Sequence, residues 1–104
     1  MEAVVSVIMS VFKEPQEYLK HSIDSILTQS FKDFEFIIIC DNPSDKNICN
    51  FLKVYKSIDY RIKLVINPTN MGLTKSLNIG LKLASGKYIC LLYTSPSPRD
   101  GLLS

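Results

Sequence analysis

The sequence has few of the residues and patterns on which common catalytic sites depend. Its single histidine, His21, lies within a helical pattern beside Lys20 and Ser22, which is typical of a structural histidine rather than a general base. The serines and cysteines lack the context of a catalytic triad or a nucleophile elbow. Neither G-x-G-x-x-G nor G-x-x-x-x-G-K-[ST] occurs, which argues against a dinucleotide-binding or P-loop protein.

Charge and hydropathy argue against two further classes. The net charge of the 104 residues is only +2, which is too small to indicate binding to nucleic acid or to an anionic membrane. No apolar run approaches the roughly 18 residues that a membrane span needs, and we find no signal-peptide pattern. With 46% hydrophobic and 21% charged residues, the composition is that of a globular domain.

The three cysteines, Cys40, Cys49 and Cys90, have neither metal-ligand nor redox spacing. Three cysteines cannot all pair within one chain. We therefore predict that all three are small buried apolar residues in a reducing compartment.

Apolar segments and helical patterns alternate along the chain. Residues 3–10, 33–40, 61–67 and 87–92 are strand-like, and their apolar runs are typical of a parallel sheet buried on both faces. Helical spacing follows Pro15 over residues 16–30, follows the turn at 41–45, and begins again at Met71. The order β-α-β-α-β-α-β predicts an α/β fold, in which a parallel sheet lies between two layers of helices.

Local signals predict several details of the helices. Ser44 or Asp45 can cap the second helix. Gly80, inside the third helix, indicates close packing, since glycine costs about 1 kcal/mol there relative to alanine. Gly86 is expected to end that helix in the left-handed conformation. The apolar face of the third helix is predicted to carry Leu73, Leu77, Leu81 and Ala84.

In an open parallel sheet, ligands bind outside the carboxyl ends of the strands. Asp41 closes an otherwise apolar strand, where its carboxylate could accept hydrogen bonds from a base or a ribose, or only cap a turn. Phe12 offers a ring for stacking on a base or for the core. Lys75, in the first turn of the third helix, faces either a phosphate or solvent.

Two segments resemble family 2 glycosyltransferases, which have the GT-A fold. They are "VSVIMSVFKEPQEYLKHSIDSILTQSFKDFEFIIICDNPSD" and "NMGLTKSLNIGLKLASGKYICLL", and the second follows the family pattern N-x-G … N-x-G … A-x-G-x-Y. The resemblance runs in order over residues 3–92 and is nearest to bacterial enzymes of capsular, O-antigen or similar polysaccharide synthesis. It implies a Rossmann-like three-layer sheet with strand order 3-2-1-4. It also implies inverting transfer of a sugar from a nucleotide-diphosphate donor, most often UDP-linked, to the hydroxyl of a glycan acceptor.

The resemblance assigns roles to five residues. Ser10 and Phe12, with Glu14, would contact the nucleotide at the end of the first strand. Asp41 would bind the base or the ribose. The family's usual Asp-Asp-Gly-Ser is replaced here by "CDNP", so only the second aspartate remains. Lys75 would lie near the donor phosphates.

The resemblance also implies a metal site whose ligands are missing from this sequence. The family's fourth strand ends in Asp-x-Asp or Asp-Asp, which holds Mg²⁺ or Mn²⁺. The expected position holds Tyr93, Thr94 and Ser95. We therefore expect no metal ion and no catalytic residue in this chain, although a parent enzyme would need both.

The segment "YTSPSPRDGLLS" (93–104) has two Ser-Pro steps and no periodicity. We predict that it is an irregular, non-native tail, and that residues 1–92 are the N-terminal part of a glycosyltransferase domain. Such a chain would bind nucleotide weakly and be inactive alone. We expect a cytoplasmic protein, with association with the inner membrane face left open for the parent enzyme.

A non-catalytic flavodoxin- or receiver-like interaction module is the alternative. A receiver needs an acidic cluster around a phospho-accepting aspartate. Asp41 lacks that cluster, because Val11 and Phe12 follow the first strand. Strand order distinguishes the two hypotheses, since a receiver has the order 2-1-3-4-5.

Overall fold

A four-stranded parallel sheet forms the centre of the molecule. The structure is a computed structural model that describes residues 4–28 and 33–93. The strands hydrogen-bond in the order β3-β2-β1-β4, with every pair parallel. This confirms the α/β fold and the order 3-2-1-4, and it is not the receiver order. In chain order the elements are β1 (Val5–Val11), α1 (Gln16–Leu27), β2 (Phe34–Cys40), α2 (Lys46–Ile58), β3 (Ile62–Ile66), α3 (Leu73–Leu83) and β4 (Tyr88–Tyr93).

The ends of two predicted segments lie outside the described residues. The first helix was expected to reach residue 30, but the structure describes it only to its C-cap, Thr28. The predicted tail begins at Tyr93, which is instead the last residue of β4. The rest of that tail, residues 94–104, is outside the described ranges. Asp45, one of the two predicted caps, caps α2 by accepting a hydrogen bond from the Ile48 amide.

Helices cover both faces of the sheet, because successive side chains of a strand point to opposite faces. On one face Val7 and Met9 pack with residues of α1 and α2, including Leu19 and Leu52. On the other face Ile8, Ile37 and Ile39 pack against Leu77 of α3. The predicted three-layer arrangement is therefore confirmed.

Helix α3 packs along a line that differs from the predicted one. Its buried residues are Ser76, Leu77 and Gly80, whereas Leu73 and Leu81 are exposed. The prediction for those two leucines is therefore wrong. The cause is Gly80, because a Cβ there would overlap Cγ2 of Ile8, so the helix approaches β1 most closely at its glycine. The close packing predicted for Gly80 is confirmed.

Gly86 is needed for close contact and not for a left-handed turn, so that prediction is also wrong. Helix α3 ends at Leu83 with Ala84 as its C-cap, and among the described residues only Gly72 has a positive φ, of 94°. A Cβ on Gly86 would lie 2.7 Å from both the backbone nitrogen and Oγ of Ser6. The Gly86 amide donates to Ser6 Oγ at 2.8 Å, which fixes the start of β4 against β1.

A buried carboxylate joins the strands at their amino ends. Glu35 of β2 accepts hydrogen bonds from Ser6 Oγ, from Lys63 Nζ at 2.6 Å and from the Ser85 amide at 2.6 Å. Burial by itself would raise the pKa of Glu35, but these hydrogen bonds outweigh it and lower the pKa from 4.5 to about 2. The charged form of Glu35 therefore stabilises the fold.

The prediction that the cysteines are buried is confirmed for two residues and wrong for the third. Cys40 and Cys49 are buried, whereas Cys90 is exposed. Cys90 lies on β4, which pairs with β1 along one side. Its neighbours on this edge strand are also exposed, Tyr88 by 65%.

Within the described ranges, each helix is too short or too polar to cross a membrane.

Candidate functional site

The turn after β1 is held in place by its own side chains. Ser10 is buried near the end of β1 and is paired with Ile39 and Tyr93 in the sheet. The Phe12 amide donates to Glu14 Oε1 at 2.8 Å, so Glu14 shapes the turn. The Lys13 ammonium lies 5.2 Å from the centroid of the Phe12 ring, within the range of a cation–π interaction.

Two hydrogen bonds join this turn to the end of β2. The Asp41 amide donates to the Val11 carbonyl at 2.7 Å. Asn42 Nδ2 donates to the Phe12 carbonyl at 3.0 Å. Phe12 and Asp41, which lie far apart in sequence, are therefore held at one edge of the sheet.

The carboxylate of Asp41 organises the loop that leads into α3. Oδ1 accepts from Asn67 Nδ2 and from the Met71 amide, both at 2.7 Å. Oδ2 accepts from Asn70 Nδ2 and from the Gly72 amide, both at 2.8 Å. These four donors match the roughly four acceptor positions of a carboxylate, and Asp41 is only 2% exposed.

Asn67 extends this network to α3 and to the end of β2. Its Nδ2 also donates to Ser76 Oγ at 3.0 Å, and its own amide donates to the Cys40 carbonyl at 2.9 Å. Asn67 Oδ1 is buried and has no hydrogen-bond partner within the described part of the chain. Buried acceptors of this kind are commonly satisfied by ordered water.

Helix α3 starts at the same edge as Phe12. Gly72 is its N-cap residue, and the bond from the Gly72 amide to Asp41 fixes the start of the helix. Lys75 lies in the first turn and is exposed. The structure thus brings Phe12, Glu14 and Asp41 into one bonded cluster and places Lys75 on the helix that this cluster anchors.

Sequence reasoning missed four polar residues of this cluster. Asn42 follows Asp41 directly, and the sequence indicates only a turn at this position. Asn70 belongs to the N-x-G pattern. Asn67 and Ser76 carry no recognisable signal, because an asparagine before a proline and a serine within a helical pattern belong to no motif. Their role depends on which segments the fold brings together.

The described residues at this edge do not form a site for a divalent metal ion. In the ranges 4–28 and 33–93, no three histidine, cysteine, aspartate or glutamate side chains are grouped so that they could hold a metal. Where the metal motif was expected, Tyr93, Thr94 and Ser95 offer a phenol and two hydroxyls in place of carboxylates, which Mg²⁺ and Mn²⁺ prefer. Thr94 and Ser95 lie outside the described residues.

Comparison with known sequences identifies relatives of this chain. The sequence profile of the family described as "Glycosyl transferase family 2" matches residues 6–92. An uncharacterized glycosyltransferase of Methanocaldococcus jannaschii is 45% identical over 89 residues, which are 86% of this chain and 31% of the relative. An Escherichia coli protein named UDP-Glc:alpha-D-GlcNAc-diphosphoundecaprenol beta-1,3-glucosyltransferase is 35% identical over 86% of this chain and 34% of its own length. The chain thus spans about a third of the length of these relatives.

Solved structures share the same architecture. TarS of S. aureus (residues 1–349), crystallised in complex with UDP-GlcNAc, superposes with a TM-score of 0.75 at 23% identity, over 88% of this chain and 26% of that one. A mannosyltransferase of Pyrobaculum calidifontis, in complex with GDP-Man and Mn²⁺, gives a TM-score of 0.69 at 18% identity, over 98% of this chain and 31% of that one. These similarities show that the fold is the GT-A fold.

Proposed function

Because the chain belongs to glycosyl transferase family 2, we propose that the edge around Phe12 and Asp41 is the nucleotide-binding part of a sugar-transferring enzyme. Such an enzyme moves a sugar from a nucleotide-diphosphate donor to an acceptor hydroxyl. The observation that carries the proposal is the bonded cluster that unites the ends of β1 and β2 with the start of α3. This cluster lies at the carboxyl end of the sheet, beside the point where the strand order reverses between β1 and β4, which is where open α/β sheets bind ligands.

The exposed groups of this edge suit a nucleotide. Phe12 presents a partly exposed ring, and stacking of a base on an aromatic ring is worth about 1–3 kcal/mol. Lys75 supplies a positive charge for the phosphates. Ser10 and Glu14 complete the turn that carries Phe12.

Asp41 contributes by holding the loop at 70–72 in its position. Its four acceptor positions are occupied within the protein, so a direct bond to a base or ribose would replace one of these donors. That direct bond stays a prediction from the family resemblance.

We propose a uridine diphosphate sugar as the donor and a cell-surface glycan as the acceptor. The name of the Escherichia coli relative specifies UDP-Glc and a lipid-linked sugar acceptor, and TarS binds UDP-GlcNAc in its crystal. The mannosyltransferase binds GDP-Man, so GDP is the informative competitor in a binding experiment.

We further propose that this chain alone transfers no sugar. The position expected for the metal ligands carries no carboxylate, so a departing diphosphate would keep its charge unneutralised. Binding of nucleotide by the chain should therefore depend little on Mn²⁺.

Titration of the isotope-labelled chain with UDP, UMP and GDP, followed by nuclear magnetic resonance, tests the proposal. We expect weak binding of the uridine nucleotides, with shifts of the amide signals of Phe12, Asn42 and Gly72. Addition of Mn²⁺ in a parallel calorimetric titration should change the affinity little. If none of the three nucleotides shifts these signals, the proposed function is wrong.

A substitution at Phe12 sharpens this test. Phe12→Leu keeps apolar bulk but removes the aromatic face, so UDP should bind at least about fivefold more weakly, given about 1–3 kcal/mol for stacking. Tyr18→Leu removes an aromatic ring from the exposed part of α1 and serves as the matched control with unchanged affinity. Equal affinities for the two variants would mean that Phe12 does not stack on the base.

A further inference from the structure

Cys40 and Cys49 form a thiol pair beneath the loop that follows Asp41. Their Sγ atoms are 3.9 Å apart. Cys40 ends β2 and Cys49 lies near the start of α2, so the fold brings together two cysteines from different elements. Both are free thiols buried in the larger core.

Both thiols donate to the backbone of the same loop. Cys40 Sγ lies 3.8 Å and Cys49 Sγ 3.7 Å from the Asn42 carbonyl oxygen. Cys49 Sγ also lies 3.9 Å from the Pro43 carbonyl oxygen. Asn42 is the residue whose side chain bonds to the Phe12 carbonyl, so the thiol pair supports the connection between the turns after β1 and β2.

We propose that Cys40 and Cys49 are a modification site, at which a low-molecular-weight disulfide oxidises the two thiols to an intramolecular disulfide. In the first step the thiolate of one cysteine attacks a sulfur of R–S–S–R, forms a mixed disulfide and releases one thiolate, which is protonated to RSH. In the second step the other cysteine loses its proton to solvent and attacks the protein sulfur of the mixed disulfide. The Cys40–Cys49 bond forms and the second RSH leaves, so two protein thiols are oxidised and one small disulfide is reduced.

The geometry favours the second step, and burial slows the first. The two sulfur atoms must move from 3.9 Å to the S–S bond length of about 2.05 Å. Because the partner thiol is already adjacent, the second attack is intramolecular and needs no further encounter. Burial is the main reason that the pKa of Cys40 is raised to about 11. Its thiolate is therefore scarce at neutral pH, and the reaction should be slower than at the exposed Cys90.

Oxidation changes the loop above the pair. A disulfide has no S–H group, so the Asn42 carbonyl loses both of its thiol donors. The end of β2 is also drawn towards the first turn of α2, which shifts Asn42 and its bond to Phe12. That this weakens nucleotide binding rests on the proposed function.

The test uses the full chain carrying Cys90→Ser, which removes the exposed thiol. The folded, reduced protein is incubated with glutathione disulfide, quenched with acid, alkylated in denaturant with N-ethylmaleimide and weighed by mass spectrometry. We expect both remaining thiols to become inaccessible to alkylation, with a mass lower by two hydrogen atoms and no glutathione adduct. Dithiothreitol should restore both thiols.

The matched control adds Cys49→Ala to Cys90→Ser. It keeps Cys40 alone and should retain one alkylatable thiol or carry one glutathione adduct. The modification site is excluded if the Cys90→Ser protein keeps both thiols when incubation continues, well beyond the time in which Cys90 of the unmodified chain reacts completely, until the mass no longer changes. It is equally excluded if the disulfide forms only in denaturant.

Two readouts separate this inference from the proposed function. The amide signals of Asn42 and Phe12 should shift on oxidation, whereas that of Ser85, at the other end of the sheet, should stay in place. Unmoved Asn42 and Phe12 signals would disprove the coupling between the thiol pair and the loop after Asp41. UDP titration of the reduced and oxidised forms follows. A disulfide in a protein whose reduced form binds none of UDP, UMP and GDP would retain the modification site and exclude the proposed function. Nucleotide binding without any disulfide would exclude the modification site and retain the proposed function.

Discussion

Glu35 and Asp41, both on or next to β2, are buried carboxylates that hold opposite ends of the sheet. Glu35 joins the amino ends of three strands to the loop before β4. Asp41 joins the carboxyl end of β2 to the loop before α3. In each case a carboxylate accepts hydrogen bonds from backbone amides of a loop, and hydrogen bonds to charged groups are the stronger kind.

Replacement of Glu35 by glutamine should lower the free energy of unfolding at neutral pH by about 1–3 kcal/mol, because a buried hydrogen-bonded network loses its charge. The pKa of Glu35 is lowered from 4.5 to about 2. The stabilisation by the carboxylate is therefore complete above pH 4.5 and is lost as the pH falls towards 2. Urea denaturation at pH 7 and pH 3 should show that the variant and the original chain differ less in acid.

Glu17→Gln is the control for this experiment. Glu17 lies in the first turn of α1 and is exposed, so its loss should cost only the helix-dipole interaction of about 0.3–1 kcal/mol. If Glu35→Gln costs no more than Glu17→Gln at pH 7, the network around Glu35 does not stabilise the fold.

Replacement of Asp41 by asparagine should loosen the loop before α3. The new amide group would point two N–H donors at positions now occupied by donors, so the Met71 and Gly72 amides lose part of their acceptor. We expect hydrogen exchange at these two amides to correspond to an opening free energy lower by about 1.5–3 kcal/mol.

Asp45→Asn is the matched change, since Asp45 caps α2 and asparagine caps helices about as well as aspartate. It should leave exchange at Met71 and Gly72 unchanged. Unaltered exchange at these amides in Asp41→Asn would show that the carboxylate does not hold the loop.

At the scale of the elements, the order of strands and helices was predictable and the packing of α3 was not. Apolar runs and helical spacing are local properties, and they identified all seven elements to within a few residues. Which face of α3 is buried depends on Gly80 meeting Ile8, a contact between residues far apart in sequence. The same reason explains the site, where Phe12 and Asp41 were predicted but Asn67 and Ser76 were not.

Gly80→Ala should destabilise the protein although alanine favours helix formation by about 1 kcal/mol over glycine. The added methyl group would overlap the side chain of Ile8, which is fully buried. Overpacking of this kind costs about 1–3 kcal/mol, so the net effect in urea denaturation should be a loss of stability.

Asn78→Ala tests the propensity effect alone, because Asn78 lies in the middle of the same helix and is exposed. It should change stability by a few tenths of a kcal/mol, about the difference in helix propensity. A stabilised Gly80→Ala variant would mean that α3 and β1 are not in close contact at this position.

At the scale of the whole molecule, β4 leaves apolar side chains at the edge of the sheet. Tyr88, Ile89 and Leu91 are exposed, and an edge strand of this kind offers unpaired backbone groups to another chain. We expect the protein to be marginally stable and to associate as its concentration rises, since further pairing would bury this strand.

Sedimentation velocity under reducing conditions, over a range of concentrations, measures this association. Leu91→Lys places a charge on the edge and should shift the distribution towards the monomer. Val54→Lys places a charge at an exposed apolar position of α2 and should have no such effect. A monomer at all concentrations, with cooperative melting above the mesophilic range, would contradict the prediction.

The bond between the Gly86 amide and Ser6 Oγ spans 80 positions of the chain, and this separation has a consequence for folding. Pairing of β1 with β2 closes a short loop, whereas pairing of β1 with β4 must wait until almost all of the described chain has been synthesised. Contacts at large sequence separation form slowly, because the entropy of loop closure is lost before they contribute. The pairing of β1 with β4 should therefore be the last part of the sheet to form. Until it forms, a nascent chain on the ribosome exposes one edge of β1.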